Sequence, residues 1–227
     1  MGKRIILALT LCVCVLYGSS QKSNFGGGIV LGNNFSGMSA DNIPGYWKAG
    51  IQVGIITYVK IVESPNVRML LQMDVDFAMK GTRTKPNFYA TGLARKDKYA
   101  LSLGYIDIPI FLRMRFNDTK KSNDGLWFDF GPCFSFFLYQ RTVARTHRST
   151  QLGTGSYGMS LHDLYNFNRL DFSMTGGVSY IFKHHHGLAF RYSHSLLPAG
   201  TTKQEVTMGV FRKLYNSAFS MIYTWQF

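Results

Sequence analysis

Val67-Arg68-Met69-Leu70-Leu71-Gln72-Met73-Asp74-Val75-Asp76-Phe77-Ala78-Met79-Lys80 decides how this chain folds. The odd-numbered residues are Val, Met, Leu, Met, Val, Phe and Met. The even-numbered ones are Arg, Leu, Gln, Asp, Asp, Ala and Lys. Successive side chains of a β-strand point to opposite faces, so this stretch reads as one strand with an apolar face and a polar, charged face.

The same two-residue period recurs along the chain. Trp47, Ala49, Ile51, Val53, Ile55, Thr57, Val59 and Ile61 interleave with Lys48, Gly50, Gln52 and Gly54. Ile106, Ile108, Ile110, Leu112, Met114 and Phe116 oppose Tyr105, Asp107, Phe111, Arg113 and Arg115. Phe128, Phe130, Phe134, Phe136 and Leu138 oppose Asp129, Gly131, Cys133 and Ser135. Later runs begin at Leu170, Leu188 and Phe219, and an early one at Ile29. That makes about eight strands.

A soluble β-sandwich also alternates, but its strands are shorter and its apolar face is hidden in a core. Long strands with one fully apolar face and one charged face fit lipid outside and a polar lumen inside. Hydrocarbon offers no partner to an edge N–H or C=O, so the sheet must close. The fold class expected is all-β, an eight-stranded antiparallel up-and-down transmembrane β-barrel. Short gaps at Val62–Asn66, Asn117–Gly125 and Lys183–His186 alternate with longer ones. This is the outer-membrane pattern and puts both termini on the periplasmic side.

The N-terminus fits export. Lys3 and Arg4 precede an apolar run from Ile5 to Tyr17, and Gly18-Ser19-Ser20 supplies small residues. Residues 1–20 therefore read as a cleavable signal peptide and 21–227 as the barrel domain. Cys12 follows Leu and Cys14 follows Val, which argues against a lipidated cysteine. Cleavage leaves Cys133 alone, with no intrachain disulfide. The formal charge of +13 falls by two, for Lys3 and Arg4, to about +11. An exported basic protein meets no nucleic acid. Outer-membrane lipid and lipopolysaccharide phosphates are the expected counter-charges.

Eight strands leave an interior filled by side chains. The inward set is Lys48, Arg68, Asp74, Asp76, Asp107, Arg113, Arg115, Asp129, Asp171 and Arg191. Charges confined there must pair, since an unpaired buried charge is very costly. A structural ion-pair network that plugs the barrel is the expectation, and a proton or ion path is its sharper rival. Trp47, Phe77, Phe116, Trp127, Tyr139, Phe182, Trp225 and Phe227 fall near strand ends, where amphipathic rings favour the head-group level. Tyr223, Trp225 and Phe227 close the chain in the form of an address for the barrel assembly machinery.

Other motifs carry little chemistry. His184-His185-His186 occupy a tight turn, where adjacent rings cannot easily converge on one ion. Gly26-Gly27-Gly28 lacks the Lys-Ser/Thr of a phosphate loop and opens a strand, so its small residues read as leaving room for a large neighbour inside the barrel. His162-Asp163 and His194-Ser195 lack a third catalytic member. No catalytic, cofactor or metal residues are assigned and no cofactor is expected. The long loops are basic, with Lys80, Arg83, Lys85, Arg95, Lys96 and Lys98 in or beside one, and Arg141, Arg145, His147 and Arg148 beginning another.

Gly27-Gly28-Ile29-Val30-Leu31-Gly32-Asn33-Asn34-Phe35-Ser36 resembles the opening strand of the PorT family of outer-membrane barrels. Leu103-Gly104-Tyr105-Ile106-Asp107-Ile108-Pro109-Ile110-Phe111-Leu112, Gly131-Pro132 and Arg191-Tyr192-Ser193 are similar to later strands, so the likeness runs from Asn24 to Phe227. It implies a Bacteroidota-type outer membrane. It also implies a non-enzymatic accessory or anchoring role in the type IX secretion system, with protein subunits of that system as partners. A structural or adhesive surface barrel without a secretion role is the alternative. A rim-site hydrolase around His162 and Asp163 is a third class.

Overall fold

A computed structural model of the protein describes residues 24–39, 45–64, 66–84, 98–116, 124–145, 165–202 and 213–227. Residues 1–20, expected to be a signal peptide, lie outside them, as do His162-Asp163 and Lys85, Arg95, Lys96, His147 and Arg148. The strands are β1 (Phe25–Ser39), β2 (Gly45–Glu63), β3 (Val67–Thr84), β4 (Lys98–Phe116), β5 (Gly125–Arg145), β6 (Tyr165–Phe167), β7 (Leu170–Phe182), β8 (His186–Ser195), β9 (Gly200–Thr202) and β10 (Lys213–Gln226).

Eight of these form the wall, in the order β1-β2-β3-β4-β5-β7-β8-β10, and β1 pairs back to β10. Every pairing is antiparallel. The closing ladder runs from Gly28 opposite Gln226 to Ser39 opposite Tyr215. Closure leaves no long unpaired edge, the condition for a sheet to survive in hydrocarbon. No described helix is long and apolar enough to cross a membrane.

β6 and β9 were not foreseen. At three residues each they are too short to show a period. They extend the start of β10 at the end of the barrel that carries the longer connections. There Phe167 stacks on Phe137 with ring centroids 5.9 Å apart. We call this the long-loop end and the opposite one the short-turn end.

Two prolines interrupt the ladders. The β3–β4 partners pass from Met73–Ile110 to Asp76–Asp107, and the β4–β5 partners from Pro109–Cys133 to Leu112–Phe130. Pro109 and Pro132 lack the N–H that would complete the rungs between. The register is the same on either side of each gap, so the faces are kept. At Gly26 a Cβ atom would lie 2.6 Å from Cε2 of Tyr58. The glycine leaves the space that the Tyr58 ring fills inside the barrel.

Candidate functional site

The polarity of the barrel is inverted relative to a soluble protein. Asp74, Asp76, Gln72 and Ser135 are fully buried, while Phe130 is 58% exposed, Ile55 51% and Met221 49%. Neighbours along one strand therefore live in opposite media. The polar set fills the lumen and the apolar set forms the outer wall, so the lumen is where the unusual chemistry sits.

Its centre is one connected network. Asp129 on β5 accepts from Arg113 Nε at 2.9 Å, from Arg191 Nη2 at 3.1 Å and from Ser179 Oγ at 3.1 Å. Arg191 on β8 also reaches across the lumen, with Nη1 3.0 Å from Asp74 Oδ2 on β3. Gln72 donates to Asp74 Oδ1 at 2.7 Å and accepts from Arg113 Nη1 at 2.6 Å. The Arg191 guanidinium lies 4.1 Å from the centroid of the Phe111 ring, a favourable cation–π position. Charge-assisted bonds of this kind are the strong ones, and here they tie β3, β4, β5, β7 and β8 to one another.

The structure brings Asp74, Arg113, Asp129 and Arg191 together and puts the other expected residues elsewhere. Asp107 pairs with Lys80, whose Nζ is 2.9 Å from Oδ2 and also donates to Ser135 Oγ at 3.0 Å. Asp76 accepts from Gln52 at 2.8 Å. Asp171 accepts from Ser195 at 2.8 Å and Asn216 at 2.9 Å. Arg68 bridges to Glu63 at 3.0 Å, near the short-turn mouth. Arg115 lies 5.9 Å from the ring centroid of Trp127. Lys48 is only half-buried and stands opposite Ser36, toward the long-loop end.

Two expectations need correction. Trp127 is not at the head-group level. It is fully buried in the lumen, because on β5 it shares the parity of Asp129 and Cys133. Lys80 does not belong to a solvated basic loop. Its even number on β3 puts it on the face of Asp74 and Asp76, and it is 5% exposed. The lumen network expected from the sequence held only charged residues and left out the neutral partners Gln52, Gln72, Ser135, Ser179, Ser195 and Asn216. Parity places each inside, but only the folded register shows what each touches.

A family model for the outer membrane protein beta-barrel domain matches residues 19–199, most of the chain. The chain belongs to this family. It is an outer membrane β-barrel protein, and its apolar wall is the surface that faces lipid. Solved structures with similar folds include Neisserial surface protein A, at 13% identity and TM-score 0.41, covering 90% of this chain and 98% of that one. OprG from Pseudomonas aeruginosa is 9% identical with TM-score 0.46, covering 89% and 94%. Ail, the attachment invasion locus protein of Yersinia pestis, is 8% identical with TM-score 0.36, covering 89% and 98%. No curated protein matches the chain in sequence.

Within this outer membrane barrel the lumen is layered. At the short-turn end Val30, Ile56, Tyr58, Leu70, Trp127, Ile181, Ala189 and Ile222 pack into an apolar floor. At the long-loop end Leu101, Leu103 and Tyr105 pack with Met38, Phe137 and Phe167. The charge network lies between. A cavity of about 30 Å³ beside Lys80, Asp107, Cys133 and Arg191, with Phe111 and Ile222 also in its lining, has space for about two waters. Among the described residues the buried charges balance. Asp74, Asp76, Asp107, Asp129 and Asp171 face Arg68, Lys80, Arg113, Arg115 and Arg191. The formal charges cancel, and apolar side chains pack the lumen at both ends. Reconstituted in a planar bilayer, the barrel is expected to give no resolved conductance steps. Steady porin-like steps would show that the apolar layers do not seal it.

The short turn between β7 and β8 holds the three histidines. Lys183 and His184 adopt positive φ values of 50° and 63°, a region that histidine tolerates better than most residues. The rings point to separate partners. His184 Nδ1 lies 3.5 Å from Asp124 Oδ1, His185 Nδ1 bonds the Gln226 carbonyl at 2.8 Å, and His186 Nδ1 bonds the Tyr223 hydroxyl at 2.6 Å. The turn also holds the chain end, because Gln226 N donates to the His185 carbonyl at 2.7 Å. On the outer side Trp225 and Phe227 are exposed, with ring centroids 6.1 Å apart.

Proposed function

We propose that this outer membrane barrel is a non-enzymatic anchor that serves the type IX protein secretion system through its loops and turns. The observation that carries the anchor reading is the layered lumen. An interior filled by side chains has no room for a protein in transit, so any work on cargo or partners is done at the rims. The secretion assignment rests on the resemblance of Gly27–Ser36, Leu103–Leu112, Gly131-Pro132 and Arg191–Ser193 to the PorT family.

In this reading both termini and the short turns face the periplasm and the long loops face outward. Secretion-system subunits dock at one or both rims. Lipopolysaccharide phosphates neutralise the basic loops. Tyr223, Trp225 and Phe227 present the last strand to the barrel assembly machinery.

The test is genetic. Deleting the gene is expected to trap a cargo carrying a C-terminal secretion signal in the periplasm, and a plasmid copy restores its export. Normal export in the deletion strain rejects the secretion role and leaves a structural or adhesive surface barrel as the reading.

A further inference from the structure

One sector of the outer wall departs from the apolar pattern at the long-loop end. On β4 the outward residues there are Ala100, Ser102 and Gly104, alternating with the buried Leu101 and Leu103. Arg83 on β3 stands opposite Ala100, and Arg141 on β5 stands opposite Ser102. Both arginines are exposed. A register shift between β4 and β5 at Gly104/Tyr105 sets Tyr139 opposite Gly104 and so turns Arg141 outward. Without that extra residue, Arg141 would have the inward parity of Asp129 and Ser135.

Just below the arginines the wall becomes aromatic. Phe77 and Tyr139 stack with centroids 6.5 Å apart and planes 20° apart. Tyr139 lies over Gly104, where a Cβ would meet Cδ1 of its ring at 2.8 Å. Adjacent strands are about 4.8 Å apart and the two arginines are offset by two residues along β4, so they flank it at about 12 Å. Their side chains are long enough to converge above its small residues. The result is a shallow notch with an alanine and serine floor, a guanidinium on each side and an aromatic platform toward the membrane core.

We propose that this notch binds the phosphorylated head group of a lipid A-type glycolipid. Guanidinium forks match phosphate oxygens in geometry and charge. The small β4 residues let a bulky sugar approach the backbone, and the stacked rings lie where the acyl chains begin. A solvated rim arginine needs neither the small floor nor the platform. The choice of lipid A over a phospholipid rests on the long loops facing outward, which is part of the reading above. Binding to the purified barrel does not depend on any role in secretion.

The experiment titrates the folded barrel in nanodiscs with bis-phosphorylated lipid A, dephosphorylated lipid A and phosphatidylglycerol, with native mass spectrometry as the readout. The phosphorylated glycolipid is expected to bind roughly tenfold or more tightly than either other lipid. The double variant Arg83→Gln/Arg141→Gln is expected to lose about that much. Lys213→Gln, which removes an exposed cation of β10 at the same end, is expected to bind as wild type does. Heat-modifiable gel mobility checks that each variant is folded. Equal affinity for the dephosphorylated lipid or for phosphatidylglycerol, or a double variant within about twofold of wild type, would overturn the proposal.

Discussion

Asp129→Ala is expected to lower the unfolding free energy of the barrel by about 3–5 kcal/mol. The carboxylate joins Arg113, Arg191 and Ser179, and both arginine side chains are only 3–4% exposed. Removing it leaves two guanidinium groups in the lumen with part of their neutralisation gone. Arg191 keeps Asp74 and the Phe111 ring, and Arg113 keeps Gln72 and Ser179. Those retained contacts keep the loss toward the lower end of this range, about 3 kcal/mol. Denaturant unfolding in lipid vesicles, read by gel mobility, measures the loss. A change below about 1 kcal/mol would mean that water or a counter-ion already screens the network, contrary to a sealed lumen.

The next residue along gives the opposite experiment. Phe130 lies near the middle of the outward row of β5, beside Leu112 and Gly176 on the neighbouring strands. Phe130→Arg puts onto the wall the kind of charge that Asp129 neutralises one residue away. On the lipid face near the bilayer midplane this costs about 2–4 kcal/mol. No acidic partner is within strand-pairing reach, because both lateral neighbours are apolar or glycine. The same vesicle unfolding assay measures the cost. A variant within about 0.5 kcal/mol of wild type would place this row in the head-group zone or outside the membrane. Together the two substitutions test whether adjacent residues live in different solvents.

The faces of the strands were legible because a strand period is two, and no folded information is needed to count it. Asp129 and Arg113 could be placed inside by parity alone. They then meet because they are directly opposed on the β4–β5 ladder. The Arg191–Asp74 contact could not be read, since it spans the lumen between strands that are not neighbours. Parity gives a face but no height. The strand-end position of Trp127 suggests the membrane rim, whereas the parity it shares with Asp129 and Cys133 puts it on the lumen face. Lys80 ends the polar face of the Val67–Lys80 run and also stands beside a run of basic loop residues, so parity alone does not say that it joins the lumen charges; its contact with Asp107 does. The outward turn of Arg141 depends on a single extra residue between two ladders, a feature that composition does not mark.

The alternation also bears on how such a chain reaches its membrane. Before folding, each lipid-facing side chain is bracketed by lumen-facing ones, and the mean hydropathy of the whole chain is only −0.03. No window of the barrel region offers the run of about twenty apolar residues that would halt it in an inner membrane. The greasy surface does not exist until the strands pair. The chain can therefore travel through water as an unremarkable polar polymer and become a lipid-soluble object only at its destination, when hydrogen bonding sorts its side chains onto two faces.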